Sequence, residues 1–436
     1  MVASENILYK PEVYESKRIQ ITSPILHIGS AVSKLSPFEY VTDSKRVYIP
    51  NQEALARAFK EQGRLNEYIR RIENQEDLNS LLEVTFGNDW QTAKDSNGEA
   101  IFPKHTSSLR WTEQKITDLR PMIRNGFGQL YIPGSSIKGA IRTAIAYHLL
   151  KYEEKYQVAQ TNRVSEIERI LQERLVTGAK FSDREKKSLA KPLMKSLFSE
   201  FILRDGDNPI GKVGDANTDF MRAVHITDTE PLLEIRRRDK QGKYRFFNLP
   251  IAAEVIVSSH FSDWKAKYKA PIYTEMVKNV QTQFTISLDK KMLSWFQHTQ
   301  GMDIPFNNID DILEICQEFA QDQWDEEHDY WQLVQNNPYA KDINRQPINL
   351  DFNTIRDFYE PGNCLYNIRI GWASGMNGTT VNLLFDEELR KDIRDNCSSK
   401  SAPSFEAPKS RRVVTISSRE IKFVPGWVKF KVLKVC

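Results

Sequence analysis

The segment YIPGSSIKGAIRTAIAYHLL, Tyr131 to Leu150, constrains the fold more than any other. An extended apolar lead meets a Pro133-Gly134 turn, serines follow, and Ile137, Ala140, Ile141, Ala144, Ile145 and Leu149 recur at helical spacing. The pattern predicts a helix that is capped by Ser135 or Ser136 and runs to about Lys155, with that stripe in the core. Lys138 and Arg142 share a face beside a positive helix end whose first N–H groups are free. Two readings follow. One is an anion site, with Gly139 letting a polymer backbone approach; the other is an ordinary capped helix with snorkelling cations. A triphosphate loop is excluded, because the lysine lies four residues beyond Gly134 with no Ser or Thr after it, and Gly126 and Gly128 do not complete Gly-x-Gly-x-x-Gly.

Around this unit, RIQITSPILHIGS (Arg18 to Ser30) predicts a strand that breaks at Pro24 and ends in a loop at Gly29. NQEALARAFKEQG predicts a short helix from a capping Asn51 to Gly63; another is expected from Gln75 to Leu82, an insertion loop over 87–108, and polar helices across 160–203. DFMRAVHITDT, AAEVIVSSHF, TQFTISL, CLYNIRIGWASG, RRVVTISS and GWVKFKVLKV read as strands, and EIRRRDKQGKYRFFNL as a basic hairpin turning at Gln241-Gly242. Ile309 to Gln335 and VNLLFDEELRKDIRD read as helices. The strands alternate rather than run solidly apolar, which favours an α+β fold on an antiparallel sheet over a doubly wound one. At 436 residues the length favours two domains, placed at 1–250 and 251–436.

Composition narrows the function. With 40% hydrophobic and 27% charged residues the chain is too apolar for disorder, and its net charge of +3 means that a nucleic-acid partner must meet a local basic surface. Cys316, Cys364, Cys397 and Cys436 stand far apart with no histidine at ligand spacing, so neither zinc nor another metal or cofactor is expected. No signal peptide or spanning segment stands out, and a cytoplasmic protein with no membrane partner is expected. Phe306 to Ala340 holds nine acidic residues and no Lys or Arg, either a solvated face or a dock for a basic neighbour. CSSKSAPSFEAPKS, 397–410, reads as a loop ahead of Arg411 and Arg412. In RIGWASGMNGTT, Gly371, Gly375 and Gly378 follow a strand, so the backbone can lie against a ligand; Trp372 is either a stacking face or a core side chain.

Taken in order, TSPILHIGSAVSKLSPFEYV, YIPGSSIKGAIRTAI, MRAVHITDTEPL, NIRIGWASGMNGTTV and PKSRRVV with VPGWVKF resemble the successive signatures of the RAMP superfamily of CRISPR proteins. Within it they are most similar to the Csm-type subunit at the guide's 3′ end in type III-A effector complexes. The resemblance implies two ferredoxin-like (RRM-like) domains with helical insertions and glycine-rich loops. It also implies a non-catalytic subunit that caps the backbone filament, binds CRISPR RNA (crRNA), and supports its maturation and recognition of target RNA. The partners it implies are the adjacent backbone RAMP subunit, the small helical subunit and recruited host nucleases. The RNA-binding positions it implies are His27, Gly29, Ser30, Gly134, Ser135, Ser136, Lys138, Arg142, Arg369, Gly371, Trp372, Gly375, Lys409, Arg411 and Arg412. The chain departs from the pattern at Gly-Trp-Ala-Ser-Gly, where Gly-x-Gly is usual, and at Ser410, where threonine is usual.

Other classes stay open on the residues alone. A processing endoribonuclease needs a general acid and base, and His27 is the first candidate, although both His27 and His225 read first as structural, hydrogen-bonded residues and next as RNA contacts. A metal-dependent nuclease would draw on Asp215, Asp219 and Asp228. A backbone-type RAMP subunit would polymerise along RNA.

Overall fold

In the computed structural model the residues described are 14–177, 190–205, 208–210, 213–239, 241–259, 264–266, 271–342, 345–362, 364–397, 407–416 and 420–434. The low-complexity stretch at 398–406, part of the polar helical region (178–189) and Cys436 lie outside them. In chain order the elements used below are β1 (Tyr14–Leu26), β2 (Leu119–Arg120), α1 (Gly134–Lys151), β3 (Val224–Ile226), the hairpin of β4 (Ile235–Arg238) and β5 (Tyr244–Phe247), β6 (Leu249–Ser259), β7 (Ile272–Asp289), α2 (Ile309–Leu333), β8 (Ile368–Arg369), α3 (Gly375–Thr379), β9 (Ser410–Thr415), β10 (Ile421–Phe423) and β11 (Trp427–Leu433).

The alternating strands gather into one 12-stranded sheet, in the order β8, β11, β1, β7, β6, Ser107–Arg110, Arg46–Tyr48, Val41–Thr42, with β2, β3, β9 and β10 off that path. β1 is antiparallel to β7 from Tyr14–Asp289 to Leu26–Val277, and antiparallel to β11 on its other side. The chain's first strand thus lies between two strands from its second half. The fold is a mixed α+β one, as the alternation predicts. β1 does not break at Pro24. Its pairing passes from Ser23–Val280 to Ile25–Lys278, and Asn279, opposite the proline, takes a left-handed φ of 51°. Pro24 has no N–H to give, and the ladder skips that one position.

One face of the sheet carries Ile19, Ile21, Phe284 and Ile286, and α1 and α2 close over it with Ile137, Ile141, Ala144, Ile145, Ile312 and Phe319. Of the predicted α1 stripe only Ala140 stays half-buried. A second cluster joins Trp324, Trp331, Tyr359 and Trp427. Three short helices, Gln52–Glu61, Leu65–Glu73 and Asn79–Phe86, wrap Leu55, Phe59, Leu82, Trp90 and Phe102. The expected single helix from Gln75 to Leu82 is therefore replaced by two. Gln75 turns left-handed at φ 57°, and the Asp77 carboxylate accepts the Asn79 N–H at 2.7 Å, which starts the next helix. The region 87–108 is not merely a loop, since Trp90, Ile101 and Phe102 are core residues.

Asp219 to Thr229 is a strand only from Val224 to Ile226. Asp219 accepts the Met221 N–H and sets a 3₁₀ turn over Phe220–Ala223. VNLLFDEELRKDIRD divides into a 3₁₀ turn at Asn382–Leu384 and a helix over Glu387–Cys397. The acidic helix α2 is occupied within the chain. Glu318 and Asp322 receive Lys151 of α1 at 2.9 and 2.6 Å, and Glu326 receives Arg390 at 3.1 Å. Among the described residues no helix is long and apolar enough to cross a membrane.

Candidate nucleic-acid interface

The start of α1 holds an anion, and it is the chain's own. No serine caps the helix; it opens at Gly134 itself, whose N–H donates to Asp228 Oδ1 at 2.7 Å. A side chain at 134 would place Cβ 2.4 Å from the Ile226 carbonyl oxygen and 2.7 Å from that of Thr227, so the glycine is required by the end of β3 pressed against it. Lys138 Nζ donates to the Val224 carbonyl at 2.8 Å. Arg142 pairs with Asp219 at 2.5 Å, its guanidinium 3.9 Å over the Phe198 ring. Both cations are thus engaged by the 219–228 segment rather than held out to a ligand. Ser135 is exposed and Ser136 half-buried.

A different centre forms around Trp372. Gly371 has φ 88°, and a Cβ there would meet the His27 carbonyl oxygen at 2.3 Å. That contact lets the Trp372 N–H reach the same carbonyl at 3.2 Å, tying the glycine loop to the end of β1. Gly426, at φ 99°, completes the junction, with its N–H on the Ile25 carbonyl and its own carbonyl taking the Ile370 N–H at 2.8 Å. Trp372 is half-buried, packed against the cluster of Ile25, Ile251 and Met276, with the Arg412 guanidinium 4.2 Å and that of Arg120 5.1 Å from its ring centroid. Arg412 Nη1 also donates to the Trp372 carbonyl at 3.0 Å. His27 meets the indole edge-on at 5.7 Å. Gly29 and Gly375 are exposed beside them, Ser30 is half-buried, and α1 packs against both β8 and α3.

Arg369 and Arg411, expected on the RNA face, lie inside. Both point at Glu327 Oε1 of α2, Arg411 Nε at 2.6 Å and Arg369 Nη1 at 3.4 Å, with side-chain exposures of 6% and 2%. Two buried guanidiniums thus share one carboxylate. They border a cavity of about 180 Å³ whose wall includes Ser374, Asn377 and Arg412. Glu327 Oε2, Arg369 Nε and Asn377 Nδ2 have no hydrogen-bond partner among the described residues. Lys409 is half-buried, and its carbonyl accepts from Tyr330 Oη at 2.9 Å.

Of the candidate catalytic groups, His27, Asp219 and Asp228 are engaged by partners within the chain. His27 is 3% exposed, its Nδ1 lies 2.7 Å from the Glu275 carbonyl, and burial pulls its pKa down to about 4. The ring is neutral and fixed, so it offers no proton near neutral pH. His225, expected to be structural, is instead exposed on β3, because the strand's alternation turns it away from the core that holds Val224. Asp228 caps α1, Asp219 holds Arg142, and Asp215 precedes a 3₁₀ turn. Among the described residues no three His, Cys, Asp or Glu side chains group as metal ligands would.

The profile of the RAMP superfamily matches residues 18–361. The chain belongs to that superfamily. Two curated proteins similar to this RAMP chain are both named CRISPR system Cms protein Csm5. The one from Enterococcus italicus is 27% identical over 177 residues, covering 35% of this chain and 50% of its own length. The one from Streptococcus thermophilus is 29% identical over 148 residues, covering 33% and 41%. The chain therefore spans about half the length, or less, of the curated relatives it matches. In fold it is similar to a chain of a type III-A Csm–crRNA–target RNA ternary complex, with a TM-score of 0.54 and 18% identity over 96% of this chain and all of the other. T. onnurineus Csm5 gives a TM-score of 0.52 at 18% identity and the same coverage.

Sequence reasoning missed Arg120, Glu327, Asp228 as a cap, and Gly426. Only Gly426 carried a local signal, the Pro-Gly turn inside VPGWVKF. Arg120 sits on a two-residue strand, and nothing local links it to Trp372.

Proposed function

We propose that the chain is the non-catalytic crRNA-binding subunit of a type III-A Csm effector complex. It grips the 3′ region of the guide and closes the backbone filament beside the last backbone RAMP subunit and the small helical subunit, where target RNA is read. The observation that carries the reading is the Trp372 junction. A half-buried indole beside two guanidiniums, with Gly29 and Gly375 exposed nearby, suits an RNA strand held by stacking and phosphate contact rather than by base identity. The Csm5 name of the curated relatives, and a fold neighbour taken from a complex with crRNA and target RNA, support the same conclusion. The non-catalytic reading is supported by His27, the first base candidate, which is buried with its Nδ1 committed to the Glu275 carbonyl, whereas a general base must reach the 2′-hydroxyl.

The test is co-purification with the neighbouring subunits and sequencing of the bound RNA. Wild-type protein is expected to protect the guide's 3′ region. Trp372→Ala should lose that protection and bind RNA roughly tenfold more weakly, with stacking contributing about 1–3 kcal/mol per base. Defined cleavage of RNA by the purified chain alone would replace this reading with the endoribonuclease one.

A further inference from the structure

Away from Trp372, the β4–β5 hairpin overhangs the sheet and encloses a groove of about 660 Å³ with Thr22 and Pro24 of β1, Lys278 and Val280 of β7, Lys429 of β11, and Leu365 and Tyr366. That volume lies within the roughly 300–1,000 Å³ range of ligand clefts. None of the residues around Trp372 contributes to it. Its walls include the rings of Tyr244, Phe246, Phe247 and Tyr366 and the cation Lys429, together with Arg245, whose guanidinium pairs with Asp239 at 3.2 Å, and Lys278, whose ammonium lies 4.9 Å from the Trp111 ring centroid; no carboxylate is among the lining residues. From Ile235 to Phe247 the hairpin carries six basic residues and one acid, Asp239, whose carboxylate accepts the Gln241 and Lys243 N–H groups of the turn.

The hairpin is held in place. Asn248 and Asn279 both sit at φ 51°; Asn248 Nδ2 donates to the Gln281 carbonyl at 2.9 Å and Asn279 Nδ2 to that of Phe246 at 3.0 Å. Tyr244 and Phe246 are nevertheless 39% and 38% exposed, and Arg236 stacks 3.4 Å from the Tyr244 ring centroid. Partly open aromatics among cations offer faces on which a flat, anionic ligand can stack.

We infer that this groove is a second RNA site, which takes an unpaired strand by stacking its bases on Tyr244, Phe246 and Tyr366 while Lys429 meets its phosphates. An acidic peptide would satisfy the cations but leave the rings without flat partners, and paired bases would have no open face to stack. The inference rests on RNA being this chain's ligand. It adds a contact tract separate from the Trp372 junction.

Ultraviolet cross-linking to a short single-stranded oligouridylate, with peptide mapping, tests it on the full chain and again on the assembled complex. Adducts are expected within 244–247 and at Tyr366. Tyr244→Ala with Phe246→Ala, both at exposed positions, should abolish the hairpin adducts and weaken binding about tenfold or more. Lys429→Glu should weaken it and flatten its salt dependence, while Trp372→Ala should leave the hairpin adducts in place. Adducts only at the Trp372 junction, with the hairpin variant binding like wild type, would overturn the groove and leave the proposed function standing. Absence of RNA from both the wild-type chain and its complex would overturn both. Hairpin cross-links to a neighbouring protein subunit in place of RNA, or tighter capture of duplex than single strand, would also sink the inference.

Discussion

Glu327→Ala should be among the most damaging single changes in this protein. The carboxylate is 1% exposed and is the partner of Arg411 at 2.6 Å and Arg369 at 3.4 Å, both buried. Removing it strands two guanidiniums in the interior, and breaking a buried pair by deleting one partner costs about 3–5 kcal/mol. For a chain of this size Tm falls at the low end of the scale, about 2 °C per kcal/mol, so a loss of roughly 6–10 °C is expected in calorimetry or circular dichroism. Glu327→Gln keeps the shape and one acceptor but removes the charge, and should still lose several degrees. Replacing Glu327, Arg369 and Arg411 together with methionines should recover much of the loss, because no charge is then left unpaired. If Glu327→Gln melts within about 1–2 °C of wild type, the arginines are solvated, and the structural role assigned to them is wrong. They would then return to the RNA face.

Two smaller predictions follow from the junctions beside it. Asp228→Ala removes the cap of α1 and should cost about 1 kcal/mol in denaturant unfolding, while Asp228→Asn should be nearly neutral; equal losses would mean that the 2.7 Å bond to Gly134 is not the source. His27 has a folded-state pKa near 4 against an ordinary 6.5, so the unfolded chain binds the extra proton first. Stability tied to this residue is intact above pH 6.5 and is lost as pH falls towards about 4, by up to about 3 kcal/mol. The measurement is the difference in urea midpoints between wild type and His27→Asn across that window, and a flat difference would contradict the buried neutral ring.

The sequence by itself determined the local grammar of this protein. Periodicity in Ile137, Ile141, Ile145 and Leu149 specifies a buried helix face, Asn51 caps its helix as its position implies, and the alternation in β1 and in the second half of β7 specifies one buried sheet face. The basic hairpin turning at Gln241-Gly242 was equally legible, because turn chemistry and cross-strand alternation act over a few residues. Tertiary structure alone decided what each charge meets. The helix start that invites an anion is filled by Asp228, the cations at 138 and 142 are taken by segment 219–228, and Arg411 finds Glu327 across 84 residues. Trp372 becomes a half-open face only because Gly371 lets its loop close on the His27 carbonyl, bringing Arg120 and Arg412 to the ring. Hydrogen bonds and ion pairs form between groups that come within a few ångströms, whatever their separation along the chain, so a pattern of residue types states which partners are needed, and the packing of the sheet chooses them.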